Sequence, residues 1–183
     1  MSSPFSLDIK KLRERARATM AEGAMTKGYR AESHHVVAVL NDALATEITC
    51  VLRYKQHYFC AKGLTSEAIR EEFLEHAKDE QDHADRLALR IVQLNGRPEM
   101  DPAGIPARSH TLFVDPEGIV AMIKEDLVAE RIVIEIYSEM IRWIGDKDPT
   151  TKRLLEHILE QEEDHAEDLA SLLERVDAKS RNG

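Results

Sequence analysis

The chain has 183 residues, 32% of them charged and 43% apolar, with a formal net charge of −9. That suits one domain with a sizeable core and excludes a disordered chain. The two cysteines, Cys50 and Cys60, form no Cys-x-x-Cys pair, which excludes a disulfide framework and a zinc or rubredoxin-type site.

No apolar run approaches the roughly 18 residues of a membrane span, and residues 1–5 lack the basic-then-apolar order of a secretory signal. The expectation is a cytoplasmic protein with no membrane partner. Residues 1–30 carry a charge of about +4, leaving about −13 for the rest. An acidic body disfavours nucleic acid as the main ligand. The basic run Lys10-Lys11-Leu12-Arg13-Glu14-Arg15-Ala16-Arg17 leaves room for a weak DNA contact at most, and a solvated helix explains it better.

Residues 1–31 read as a basic, short helical extension, and residues 32–179 as one all-α domain. Four of the six prolines (Pro98, Pro102, Pro106 and Pro116) fall between Asn95 and Gly118, and glycines mark the remaining joints. Between these breaks lie four long segments rich in Ala, Leu, Glu and Arg, at 32–61, 66–94, 117–144 and 149–178. Ser66 is placed to cap the second, and Asp148-Pro149 makes an N-cap and first-turn pair for the fourth.

Each segment carries a stripe at spacings of three and four. The first reads Leu40, Leu44, Glu47, Val51, Tyr54, Tyr58. The second reads Phe73, Ala77, Glu80, His83, Leu87, Ile91, Leu94. The third reads Ile123, Leu127, Glu130, Ile134, Tyr137, Ile141, Ile144, and the fourth Leu155, Ile158, Glu162, His165, Leu169, Leu172, Val176. These stripes predict a four-helix bundle. The long link between helices two and three predicts a crossover that lets those two run parallel.

All four stripes are broken near mid-length by residues foreign to a core. Glu47 and Glu130 stand singly, while Glu80-Gln81-Asp82-His83 and Glu162-Glu163-Asp164-His165 each give Glu-x-x-His. Residues three apart share a helix face, so each Glu and His can hold one object. Four buried carboxylates at one level repel and take up protons. Two divalent cations resolve the conflict, because they balance four carboxylates and two neutral imidazoles. The oxygen and nitrogen donors suit iron or manganese.

The halves also repeat. Glu47 with Tyr54 and Glu130 with Tyr137 both read Glu-x6-Tyr, and the Glu-x-x-His motifs lie 82 residues apart. Seven residues make close to two turns, which places each tyrosine over the face of its own helix's glutamate. A single Glu-x-x-His in an acidic helical protein is ordinarily surface. Glu32-Ser33-His34-His35 is such a decoy, with His35 about 120° round the helix from Glu47. His76 and His157 lack the paired spacing and read as surface or supporting residues. For Tyr54 and Tyr137, packing accounts for the pattern about as well as hydrogen bonding to a carboxylate, and the cysteines read as buried structural thiols.

These residues resemble the ferritin-like superfamily, and bacterioferritins above all, over roughly residues 36–178. Leu40-Asn41-Asp42-Ala43-Leu44-Ala45-Thr46-Glu47 and His83-Ala84-Asp85-Arg86 extend the likeness beyond the metal-binding pattern. The resemblance implies a ferroxidase centre within each subunit, holding two iron ions. Glu80 and Glu162 would bridge them, Glu47 with His83 and Glu130 with His165 would be terminal ligands, and Tyr54 matches the family's tyrosine beside the centre. It also implies oxidation of Fe(II) by O2 or hydrogen peroxide and storage of the product in a homo-oligomeric cage.

Gln81 stands where bacterioferritins carry their haem-binding Met, so haem through that residue is not expected. The short stretch after helix four and the 30 residues before helix one look like the Dps-like branch of bacterioferritin relatives, with a 12-subunit cage. The cysteine pair that marks thioferritins on the third helix is absent. The rival functions are a di-iron or di-manganese peroxidase, catalase or hydroxylase that builds no store, and a DNA-protecting protein using the basic head.

Overall fold

The computed structural model describes residues 5–62 and 66–181. A short helix α1 (Ile9–Ala18) and a 3-10 turn (Met20–Glu22) precede α2 (Ser33–Cys60) and α3 (Ser66–Gln93). A four-residue helix α4 (Ile105–Arg108) interrupts the long link, and α5 (Ile119–Ile144) and α6 (Pro149–Arg181) follow. Strands are absent among the described residues. The four long helices agree with the sequence expectation to within a few residues. Whether Ser66 caps α3 lies outside the described residues.

Helix α2 packs chiefly on α3, and α5 on α6. Short links join each pair, which makes the members antiparallel. The long link is strapped along α2 by side chains spaced over most of its length. Asn41 Nδ2 donates to Arg97 O at 3.1 Å and its Oδ1 accepts from Glu99 N at 2.8 Å. Further on, Thr46 Oγ1 accepts from His110 N at 3.0 Å, and Arg53 Nη1 donates to Leu112 O at 3.2 Å. His57 Nε2 lies 3.3 Å from Val114 O. The crossover therefore travels from near the start of α2 towards its end, so α5 begins at the far end and α3 and α5 run parallel.

At the opposite end, Asp148 caps α6 by accepting from Thr151 N at 2.9 Å. It also takes Arg90 Nη2 on both oxygens at 2.9 Å and the Tyr29 hydroxyl at 2.8 Å, which ties the segment before α2 to the bundle. Gly145 closes α5 at φ +52°, a conformation that favours glycine. Gly96 follows α3 where a Cβ would meet Val37 at 2.7 Å.

The stripes on α2, α3 and α6 fall inward apart from their ends, with Phe73, Leu87, Ile91, Leu155, Ile158 and Leu169 fully buried. On α5 the buried line runs Ile123, Asp126, Glu130, Val133, Tyr137, Met140, Ile144, while Leu127, Ile134 and Ile141 are only partly covered. The buried face keeps the alternation of three and four but starts with three where the predicted stripe starts with four, so Asp126, Val133 and Met140 replace Leu127, Ile134 and Ile141 on it. Helix α2 also corrects the membrane reading: it is long and apolar enough to cross a bilayer, with a mean hydropathy of 1.4 over 18 residues. Two charges within that window hide it from a search for unbroken apolar runs. Most of the window (61%) is buried in the bundle, as in the core helix of a water-exposed fold.

Candidate metal centre

Glu47 on α2, Glu80 and His83 on α3, Glu130 on α5, and Glu162 and His165 on α6 meet at mid-bundle. Each is at most 4% exposed. The two histidines present the same atom: His83 Nδ1 lies 2.9 Å from Glu162 Oε1, 3.4 Å from Glu47 Oε2 and 3.6 Å from Glu80 Oε2. His165 Nδ1 lies 3.6 Å from Glu162 Oε2 and 3.8 Å from Glu80 Oε1. Glu80 and Glu162 thus turn one oxygen towards each imidazole. Two overlapping donor sets result, Glu47–Glu80–His83–Glu162 and Glu80–Glu130–Glu162–His165, each with its ligand atoms within 4.8 Å of one another.

The donors fit cations because little else in the protein satisfies them. Both oxygens of Glu80 and of Glu162, Oε2 of Glu47 and of Glu130, and Nδ1 of both histidines are buried without a hydrogen bond of acceptable geometry. Buried polar atoms are nearly always paired, so eight orphans in one place call for a ligand. Burial pushes the carboxyls of Glu80, Glu130 and Glu162 up, and charge repulsion among the four adds to it. For His83 burial works downward, yet the close carboxylates of Glu162, Glu47 and Glu80 outweigh it and raise the ring well above its ordinary value. For Glu47 burial works upward and loses to its polar neighbours Glu80, His83 and Tyr137. Without cations, bound protons supply the missing positive charge.

Tyr54 and Tyr137 do more than pack. Tyr54 donates its hydroxyl to Glu130 Oε1, and Tyr137 donates to Glu47 Oε1. Each tyrosine therefore holds the glutamate of the opposite helix, not that of its own helix as the spacing suggested. The hydrogen bond leaves each terminal glutamate one free oxygen, Oε2, on the donor side. Behind the histidines, His83 Nε2 lies 3.2 Å from Gln161 Oε1, and His165 Nε2 lies 3.4 Å from Asp79 Oδ2.

The decoy stays outside. His34 is exposed, 4.0 Å from Glu32 and with its ring 4.0 Å from that of His35. His157 is exposed, 3.7 Å from Glu160. Gln81 is exposed and donates to Asp85 at 3.0 Å. His76, in contrast, is 2% exposed, stacked on His165 at 4.1 Å between ring centroids and edge-on to Tyr54 at 5.2 Å. Burial first, then the charge of His165, lowers it to about 3. Its position four residues before Glu80, on the same face, was the available signal. Cys50 is buried, its thiol pushed up chiefly by burial, while Cys60 is exposed, which corrects the reading of two buried thiols.

A second polar cluster was missed altogether. Arg53 Nε donates to Asp126 Oδ1 at 2.8 Å, and His57 Nδ1 lies 2.8 Å from Asp126 Oδ2, all three fully covered. Charged residues beside a stripe read as a solvated face. Here Arg53 adjoins Tyr54, and Asp126 sits one turn before Glu130.

A four-helix bundle with carboxylates and imidazoles buried at mid-length defines the class of carboxylate-lined helical bundles. The Ferritin-like domain family matches residues 37–178, and the chain belongs to it, within the bacterioferritin and Dps-like branch. It is 28% identical to a bacterioferritin of Desulfovibrio desulfuricans over 71% of this chain and 69% of that one. It is 29% identical to a DNA protection during starvation protein of Pyrococcus furiosus, over 71% and 72%. In structure it resembles a bacterioferritin-related protein of Bacteroides fragilis, described as a dodecameric thioferritin, with a TM-score of 0.80, 25% identity and coverage of 94% and 98%. The chain's two cysteines both lie on α2, so α5 carries none.

Proposed function

We propose that the protein oxidises Fe(II) at an intrasubunit two-metal centre and retains the ferric product inside a homo-oligomeric cage of 12 subunits, in the cytoplasm. Residues 32–179 form the functional unit, with residues 1–31 a basic extension outside it. The observation that carries the reading is the pair of shared carboxylates, Glu80 and Glu162, each turning one oxygen to His83 and the other to His165. Bridging by two carboxylates holds two cations a few ångströms apart, the arrangement that lets both act on one small oxidant. Iron fits the mixed oxygen and nitrogen donors, as does manganese.

In this reading the substrate is a pair of Fe(II) ions. Together they give up two electrons, reducing H2O2 with two protons to two water molecules, or O2 with two protons to H2O2. Glu47 with His83, and Glu130 with His165, hold the two ions from outside the bridge. Tyr137 and Tyr54 fix the two terminal glutamates through their hydroxyls. Loading with Fe(II) displaces the protons held by the raised carboxyls, so filling the site supplies protons beside the reacting centre.

Assembly is supported by apolar side chains left on the outer faces of α2 and α3: Leu52, Phe59, Leu89 and Val92 are each more than half exposed. An apolar cleft of about 540 Å³ between α2 and α5 ends at Trp143. Such surface is characteristic of subunit contacts, and the Bacteroides fragilis relative is a dodecamer.

Two measurements test the reading. Stopped-flow oxidation of Fe(II) should show a fast phase that is lost in Glu80→Ala and Glu162→Ala, and native mass spectrometry should give a 12-mer. Unchanged fast oxidation in both variants removes the ferroxidase assignment, and a stable dimer at iron-loading concentration removes the store.

A further inference from the structure

The centre does not end at His165. On its outer side, α3 and α6 leave a cleft of about 180 Å³ whose floor is made by His76 and His165. Glu72 reaches it from one turn before His76, and Asp168 from one turn after His165. The ligand atoms of Glu72, His76 and Asp168 all lie within 4.8 Å of one another.

Acidic side chains at a surface commonly crowd without a ligand, and His76 is what sets this cluster apart. It is 2% exposed, and its Nδ1 has no hydrogen-bond partner. Its Nε2 stands 3.7 Å from Glu72 Oε1, outside hydrogen-bond distance. A buried imidazole facing carboxylates without hydrogen-bonding either of them is under-satisfied. The cleft is lined otherwise by Glu75, Asp79, Gln161 and Asp164, and none of its described lining residues is Lys or Arg. Arg175 acts on Glu72 from farther along α6, with its Nε donated to Ser171 O at 3.2 Å.

We propose that Glu72, His76 and Asp168 bind a third divalent cation, separate from the two-metal centre and opening on its His165 side. Two carboxylates and one imidazole suit Fe(II), Mn(II) or Zn(II), with water completing the shell. His76 also lies within 4.8 Å reach of Glu130 and His165, so the outer cluster shares a residue with the edge of the inner one. Among the described residues, the other half has no equivalent cluster. By the 82-residue repeat, Ile158 occupies the place of His76, Leu154 that of Glu72 and Arg86 that of Asp168.

The test uses crystals of the assembled protein soaked in manganese chloride, read by anomalous scattering, and Mn(II) counting by equilibrium dialysis. Wild-type crystals should show a peak among Glu72, His76 and Asp168 besides the inner ones. The double variant Glu72→Gln/Asp168→Asn changes two partly exposed residues, so it keeps the fold. It should lose the outer peak and drop from about three bound Mn(II) per subunit to about two. Absence of the outer peak in wild type, or its persistence at full occupancy in the double variant, overturns the proposal. An outer peak without inner ones upholds it and overturns the two-metal reading instead.

Discussion

The two halves of the centre are copies in their donors and differ in everything behind them. On the His83 side, the ring is fully buried, Gln161 meets its outer nitrogen, and the terminal Glu47 is held by Tyr137. On the His165 side, Asp79 takes Gln161's place, His76 stacks on the ring, and a cleft reaches solvent. Beyond Tyr54 lies the buried Arg53–Asp126–His57 cluster. The 83-residue repeat puts Ile136, Ala43 and Met140 at the matching places. The repeat matches the six candidate donors of the two halves, while the groups around them make the His165 half the more polar of the two. The solvent-facing cleft lies over His165 and is bordered by Gln161, the residue behind His83.

Removing the cations affects both halves at once, and gives the largest effect expected. Glu80, Glu130 and Glu162 have raised folded values, so at intermediate pH the native state binds more protons than the unfolded chain. The raised His83 acts in the same direction; the lowered Glu47 opposes it in acid, and His76, lowered to about 3, opposes it up to the ordinary histidine range. Stability of the chelated protein should then fall as pH rises above the ordinary carboxylate range. Thermal unfolding of EDTA-treated protein between about pH 5 and pH 8 should show a declining Tm, and Mn(II) should restore it most at the high end. A Tm that climbs with pH in the chelated protein contradicts the protonated-core account.

The polar cluster distinguishes the halves next. Asp126→Asn removes the negative charge from a pair with side chains at most 2% exposed, leaving Arg53 buried and uncompensated. The expected cost is about 3–5 kcal/mol in urea unfolding. Replacing Ile136 by Val at the matching site in the closed half should cost about 0.5–1.5 kcal/mol, an upper figure because Ile136 is only partly buried. Equal costs would mean that the buried charges are not what sets the two ends apart.

Asp79 and Gln161 provide a finer comparison. A carboxylate behind a ligating imidazole makes it a stronger donor than an amide does. Asp79→Asn makes the two halves alike, and should weaken Mn(II) binding at the His165 half by about tenfold while leaving the other half unchanged. The partial exposure of Asp79 places the effect at the low end of that range. Site-resolved anomalous occupancies at graded Mn(II) would show it, and a uniform loss at both positions would count against the local mechanism.

Much of this was legible in the sequence, and the reason is period. Breakers at Gly96, Pro98, Gly118 and Gly145 delimit the helices, and six donors break the apolar stripes at one depth. What could not be read was pairing across helices. The spacing from Glu47 to Tyr54 shows that they share a face, but not that the Tyr54 hydroxyl crosses to Glu130 on α5. Arg53, His57 and Asp126 were passed over because a charged residue next to a stripe usually faces water. These three are covered by the long crossover, which sequence reading placed as a link and not as a lid on α2. His76 escaped for a related reason: Glu72 lies one turn before it on α3, but Asp168 and His165 come from α6, so the cluster forms only across helices.

The tyrosines provide the smallest and most direct comparison. Tyr54 and Tyr137 are both fully buried, and each gives its one hydroxyl hydrogen to a terminal glutamate. Replacing either by Phe keeps the ring and its packing and removes only that donor. In the metal-free protein each substitution should cost about 1 kcal/mol or somewhat more, because the acceptor carries partial charge. The costs should differ with pH. Glu47 is held below the ordinary carboxylate range, with Tyr137 contributing, whereas Glu130 is raised by burial despite Tyr54. Tyr137→Phe should therefore hurt most where Glu47 is ionised and lose its effect as pH falls through the folded value of Glu47. Tyr54→Phe should vary less in that acid range, because Glu130 stays protonated there and its neutral carboxyl accepts more weakly. Urea titrations of both variants at a series of pH values would separate them, and identical profiles would mean that the two terminal glutamates share one protonation state.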